Sequence, residues 1–122
     1  MPRTVLVADD NASVRKMLVK MFDLEKDYDL CAEAENGKQA IQLALEYHPD
    51  LIILDLSMPV MNGLEAAHEL KKLMPNVPII LFTHHYDLGN RISITNLDVD
   101  RIVSKSDANS LMGHVRSLVP AF

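Results

Sequence analysis

The 122 residues carry a formal charge of −5, with 48% hydrophobic and 24% charged side chains, the make-up of one ordinary globular domain able to bury a core without metal or disulfide staples. The 12 Lys and Arg residues are scattered, and their densest runs, Arg15-Lys16 and Lys71-Lys72, read as solvated helix faces, which argues against direct nucleic-acid binding by this chain. A lone cysteine excludes an intrachain disulfide, no long uncharged apolar run predicts a membrane span, and Met1-Pro2-Arg3-Thr4 starts no signal-peptide pattern, so a cytoplasmic protein is expected.

Val5-Leu6-Val7-Ala8 is a short apolar run that stops at Asp9-Asp10 and reads as a first strand. Val14, Met17, Leu18 and Met21 follow at helical spacing, with Asn11 or Ser13 as the cap. Leu30, Ala32 and Ala34 alternate as a second strand, with Cys31 expected as a small buried hydrophobe, and Asn36-Gly37 ends it. A second helix turns Ala40, Ile41, Ala44 and Leu45 inward and stops near His48-Pro49. Leu51-Ile52-Ile53-Leu54 is apolar throughout, as a strand covered on both faces must be, and it ends at Asp55. Turn residues at Met58-Pro59 and Asn62-Gly63 lead to a third helix over roughly Leu64 to Met74. Pro75 and Pro78 bracket the approach to Ile79-Ile80-Leu81-Phe82, the fourth strand. A short helix of weak propensity is predicted around Asp87 to Asn96. Arg101-Ile102-Val103-Ser104 is the fifth strand, and Leu111, Val115, Leu118 and Val119 stripe a last helix. Strands alternating with helices imply parallel strands joined by right-handed crossovers, a three-layer, doubly wound α/β sandwich. Nothing marks a linker or a second domain, so residues 1–122 are read as one unit.

Ligands of open parallel sheets bind beyond the carboxyl ends of the strands. Here the first strand ends at Asp9-Asp10, the third at Asp55, the fourth at Thr83 and the fifth at Lys105, while the second ends at Glu35-Asn36 with no evident chemistry. Two unit charges about 4 Å apart interact by roughly 4 kcal/mol at an effective dielectric near 20, so three converging carboxylates call for a divalent cation or for Lys105. An all-oxygen site with room for water suits Mg2+ rather than zinc. Metal on one side with ammonium and hydroxyl on the other leaves space for a dianion, and a phosphoryl group on the Asp55 carboxylate fits it.

These residues resemble the receiver domains of response regulators, of the chemotaxis-regulator type, over essentially the whole chain. The strongest stretch is Asp55-Leu56-Ser57-Met58-Pro59-Val60-Met61-Asn62-Gly63, supported by Val5 to Asp10, Leu81-Phe82-Thr83, Ser104-Lys105 and Ala34-Glu35-Asn36-Gly37-Lys38-Gln39-Ala40. The resemblance implies a flavodoxin-like (βα)5 fold with strand order 2-1-3-4-5. It implies that Asp55 accepts a phosphoryl group from a histidine kinase or histidine phosphotransfer protein and that the domain is not otherwise an enzyme. Mg2+ would be held by Asp10, Asp55 and the Ser57 main-chain carbonyl, with Asp9 acting through a water. Thr83 and Lys105 would meet the phosphoryl oxygens, and the face of the fourth helix, fifth strand and last helix would meet a dimer partner or an output domain.

Four positions depart from the family pattern. Ile102 stands where an aromatic residue is usual, Ser106 where proline commonly follows the lysine, His84 where a small residue follows the hydroxyl, and Asp98 where glycine is common. A cis bond before a non-proline costs about 2.5–4 kcal/mol, so Lys105–Ser106 is expected trans or in a rearranged loop. His84 is expected to shield Asp55 in part, and its pairing with His85 is not read as a metal site. These changes lie on the output side, which favours retained phosphoryl chemistry over a degenerate receiver that only binds protein. A phosphatase reading fails on Ser57, which is not the second acid such enzymes need, and no GxxxxGK[ST] or GxGxxG loop supports nucleotide binding.

Overall fold

The structure, a computed structural model, describes residues 2–84 and 98–121. Five parallel strands, β1 (Arg3–Ala8), β2 (Tyr28–Ala34), β3 (Leu51–Leu54), β4 (Ile79–Thr83) and β5 (Arg101–Ser104), form one sheet in the order β2-β1-β3-β4-β5. Helices α1 (Ala12–Asp23), α2 (Gly37–Tyr47) and α3 (Gly63–Leu73) connect the first four strands, and a 3-10 turn (Lys105–Ser110) leads from β5 into the C-terminal helix (Leu111–Leu118). The predicted helix at Asp87 to Asn96, and His85, lie outside the described residues.

Strand alternation divides the core in two. Val5, Val7, Ile53, Ile80 and Phe82 face α1 and the C-terminal helix, where Leu18, Phe22, Leu111, Met112 and Val115 meet them. Leu6, Ala8, Ile52, Leu54 and Leu81 face α2 and α3, whose Ala40, Ala44, Ala66 and Ala67 make that contact surface small-sided. Full burial of β3 on both sides follows from its place in the middle of the sheet.

The differences from the sequence reading have physical causes. On α1 the buried pair is Leu18 and Phe22, one turn apart on the face toward the sheet, while Met17, rotated to the edge of that face, is exposed. Asn11 is the cap, accepting from the amides of Ser13 and Val14. Leu45 of α2 is 47% exposed rather than inward, since Ala40 and Ala44 already define the packed face. The register of β2 on β1 slips between Val5↔Leu30 and Leu6↔Ala32, which leaves Cys31 as an extra residue, a bulge. Tyr28 and Leu30 therefore pack on the α1 side, whereas Cys31, Ala32 and Ala34 pack on the α2 side, and Cys31 is only partly buried. Lys71 is no solvated residue either: its ammonium donates to the Val77 carbonyl and to Asp100 Oδ2, each at 3.0 Å, and so ties α3 to the start of β5. Asp100 also accepts from the Ile79 amide at 2.8 Å. Asp98 pairs with His68 Nδ1 at 3.0 Å.

The loop after β3 is held by two glycines. The amide of Gly63 donates to the Leu56 carbonyl at 2.9 Å, and that of Gly37 to the Met61 carbonyl at 2.8 Å. A Cβ at position 63 would lie 2.1 Å from the Asp55 carbonyl oxygen, so only glycine lets α3 start this close to the end of β3. Gly63→Ala is expected to lower stability by about 1–3 kcal/mol, the usual cost of overpacking, read as a lower midpoint in urea unfolding with an unchanged slope.

Candidate functional site

Strand register brings the rim together. Ala8 pairs with Leu54, so Asp9 and Asp55 follow side by side at the ends of β1 and β3, where the Asp55 amide donates to the Ala8 carbonyl at 2.9 Å. This is where the order of the strands reverses, the switch point at which parallel sheets open a crevice. Thr83 and Ser104 pair at the ends of β4 and β5, and Lys105 is the next residue.

Oxygen atoms of Asp9, Asp10 and Asp55 all lie within 4.8 Å of one another. Asp9 and Asp55 are buried, and Asp10 faces solvent. The Lys105 side chain, only 7% exposed, places its ammonium 2.6 Å from Asp9 Oδ2 and 3.3 Å from Asp55 Oδ2. Asp9 Oδ1 accepts from the Asn11 amide at 2.8 Å, so both its oxygens are engaged by the protein. Thr83 is buried, and among the described residues its Oγ1 has no hydrogen-bond partner, an uncommon state for a hydroxyl inside a protein. Ser57 is exposed in the loop two residues past Asp55. Burial pushes the Asp55 carboxyl above the usual carboxylate range and the Asp9 charge adds to this, while Lys105 and, more weakly, the nearby Thr83 hydroxyl oppose it; that hydroxyl forms no hydrogen bond of ordinary geometry with it.

Ser106 does not displace the lysine. No peptide bond among the described residues is cis, and Lys105 reaches both carboxylates from the first turn of the 3-10 segment. His84 is exposed, and Ile102 packs half-buried against the core on the α2 and α3 side.

Arg15 escaped the sequence reading, which left it on a solvated face. Its side chain is 14% exposed and donates from Nη1 to the Asp9 carbonyl at 2.6 Å, while its other nitrogens lie 3.5 Å from Glu33 and 3.6 Å from Glu35. The end of β2, which had no evident chemistry, thus holds the guanidinium that fixes the main chain of the acidic pair. The available signal was the spacing of Arg15 on the turn of α1 that follows the pair, with two acids at the end of the neighbouring strand.

An open parallel sheet with an acidic, lysine-bridged rim at its switch point defines a doubly wound α/β domain. The response regulator receiver domain model matches residues 5–116, and the chain belongs to that family. It is similar to the response regulator protein VraR of Staphylococcus saprophyticus, with 34% identity over 110 residues that are 90% of this chain and 53% of VraR, so it spans about half of that relative. Over 68% of each chain it is 37% identical to the chemotaxis protein CheY of Halobacterium salinarum. Among solved structures, the response regulator protein TrrA of Thermotoga maritima, in complex with Mg(2+)-BeF, has a TM-score of 0.85 and 32% identity, covering 96% of this chain and 99% of TrrA. The observed fold and strand order are those expected of such domains, and no helix among the described residues is long and apolar enough to cross a membrane.

Two outcomes check this geometry. A carboxyl with a raised pKa binds protons more readily folded than unfolded, so Asp55 favours folding below its unfolded value near 3.8 and loses that contribution as pH rises through the folded value. Asp55→Asn should therefore resist denaturant better than wild type at neutral pH, with the gap closing as pH approaches about 4. Arg15→Ala should lose about 1.5–3 kcal/mol in the same unfolding assay, the size of a charge-assisted hydrogen bond, and Arg15→Lys should not restore it because one ammonium cannot span three partners.

Proposed function

We propose that this chain is a phosphoacceptor receiver domain: Asp55 takes a phosphoryl group from a phosphohistidine donor in a Mg2+-dependent reaction, and the domain changes its output face in response. The observation that carries the reading is the set of groups around one buried carboxylate, Lys105 at 3.3 Å and the unpartnered Thr83 hydroxyl on the same rim. Three carboxylates against one ammonium leave an excess of negative charge, and the oxygen-only donors suit a small hard cation. Asp10, Asp55 and the Ser57 main-chain carbonyl would hold Mg2+, with Asp9 acting through a water, in keeping with the full engagement of both Asp9 oxygens. When bound, the ion would neutralise charge on the phosphoryl oxygens.

In the transfer, an Asp55 carboxylate oxygen forms a P–O bond as the P–N bond of the donor breaks. The electron pair of that bond returns to the imidazole, which takes a proton from solvent. Lys105 balances the dianion that results, and Thr83 Oγ1 donates to one of its oxygens. Burial and the Asp9 charge, which raise the Asp55 pKa, destabilise the free carboxylate, and forming the acyl phosphate would move negative charge from it onto phosphoryl oxygens that Lys105 and Thr83 can meet.

The donor is proposed to be a histidine kinase or a histidine phosphotransfer protein in the cytoplasm, and the whole of residues 1–122 to act as one receiver unit. The output is proposed to reach a dimer partner or an output domain through β5, the C-terminal helix and the predicted fourth helix. With Ile102 in place of an aromatic residue, no ring rotation is available to report on Thr83. Incubation with acetyl phosphate and Mg2+ should add one phosphoryl group by mass spectrometry. The adduct should be absent in Asp55→Asn and without Mg2+, and Lys105→Ala should slow its formation by about tenfold or more. A wild-type domain that gains no mass under these conditions would instead favour a phosphorylation-independent binding module.

A further inference from the structure

Resting on the reading of Asp55 as acceptor, we propose that Ser104 and Ser106 are positioning residues for Lys105, a hydroxyl bracket that does by hydrogen bonding what a rigid residue after the lysine would otherwise do. Lys105 must leave the end of β5 and turn at once into a helix while its ammonium stays buried on Asp9 and Asp55. Its backbone is therefore the point where a few degrees of rotation move the ammonium most, because the four-carbon stem amplifies any change at Cα. Nothing covalent restrains that rotation here, since the following residue is Ser106 and not proline.

Hydrogen bonds across the lysine supply the restraint. Ser104 sits in an extended conformation (φ −76°, ψ 138°) as the cap of the 3-10 segment, and its Oγ accepts from the Ser106 amide at 3.2 Å. The two hydroxyls also meet directly, Oγ to Oγ, at 2.7 Å. Lys105 is thus the one residue enclosed between two side chains bonded to each other and to the backbone, a small ring that fixes its φ and ψ. At the far end of the turn, Ser110 Oγ donates to the Asp107 carbonyl at 2.9 Å, where the backbone departs from helical geometry (Asp107 φ −120°, ψ 46°), so the irregular part of the turn is itself tied down. The start of the ring is also anchored, because Ser104 pairs with Thr83 in the sheet. Neither serine hydroxyl needs to touch the phosphoryl group, as both act through the placement of the ammonium.

The test uses the whole chain with acetyl phosphate and Mg2+. Ser104→Ala and Ser106→Ala are expected to lower the maximal phosphorylation rate by roughly 3–10-fold each, the factor that one ordinary hydrogen bond represents. Half-saturating acetyl phosphate should change little, the thermal midpoint should fall by no more than the few degrees that a lost cap hydrogen bond costs, and Ser106→Thr, which keeps the hydroxyl, should restore the rate. In the same proteins without phosphate, 15N relaxation of the Lys105 ammonium should report greater mobility in the alanine variants than in wild type. Wild-type rates in both alanine variants, or a rate loss that follows the thermal midpoint, would overturn the bracket. If wild type itself takes no phosphoryl group, the Asp55 reading has failed, and the Lys105 ammonium mobility then decides the bracket alone: unchanged in the alanine variants, it sinks the proposal, and increased, it upholds it.

Discussion

Two buried carboxylates held by one buried ammonium are the constraint around which the rest of the molecule is arranged. Asp9 and Asp55 end adjacent strands and are almost sealed from solvent, so their mutual repulsion is screened little by water. Removing Lys105 from such a cluster would leave two buried carboxylates uncompensated, which is far more costly than losing a surface pair. Lys105, at 2.6 Å from one and 3.3 Å from the other, directly follows the edge strand β5, two places away from β3 in the sheet. The compensation therefore exists only when all of β1, β3, β4 and β5 are assembled in register. Charge balance at the rim and completion of the sheet are in this sense the same event.

Around that cluster the protein accepts local cost to keep the main chain in place. Val60, a β-branched residue 77% exposed, holds a left-handed conformation (φ 69°) in the loop that follows Asp55, a region such residues avoid. Two residues on, the Asn62–Glu65 capping box starts α3, and Gly63 brings that helix against the Asp55 carbonyl. On the other side, Arg15 ties the Asp9 carbonyl to the end of β2. Main-chain contacts thus hold both aspartates from behind, which leaves their oxygens to be placed by the strands.

Much of this was legible because it depends on short-range patterns. Continuous apolar runs marked β1, β3 and β4, and each stopped at a polar residue that the parallel topology carries to one rim. What escaped depends on geometry that no linear pattern encodes. The bulge at Cys31 puts Leu30 and Ala32 on opposite faces of the sheet, and alternation cannot show a residue that has no partner across the sheet. Leu18 and Phe22, four residues apart, form the buried stripe of α1, and Met17 falls to its edge, a difference of helix orientation that spacing alone does not show. Arg15 and Lys71 look like any exposed cation in the sequence, and only the return of β2 and β5 beside their helices supplies Glu33, Glu35 and Asp100. Charges whose partners lie across the fold are the least readable part of a sequence.

The rim and the outer edge of the sheet are joined through β4 and β5. Leu81 pairs with Ile102, and Thr83 with Ser104, along one β4–β5 ladder. Ile102 is β-branched and half-buried against the α2 and α3 side of the core, so its side chain has few alternative rotamers. Thr83 and Lys105, which approach Asp55 from β4 and β5, are one residue apart across the Thr83–Ser104 pairing, and Ser104 is also the residue whose hydroxyl spans Lys105. The strand pairing of Thr83 with Ser104 links the two through the main chain. Ile102 therefore leaves a side-chain swivel few positions to occupy, and a joint movement of β4 and β5 would keep their mutual pairings while straining those of β4 to β3.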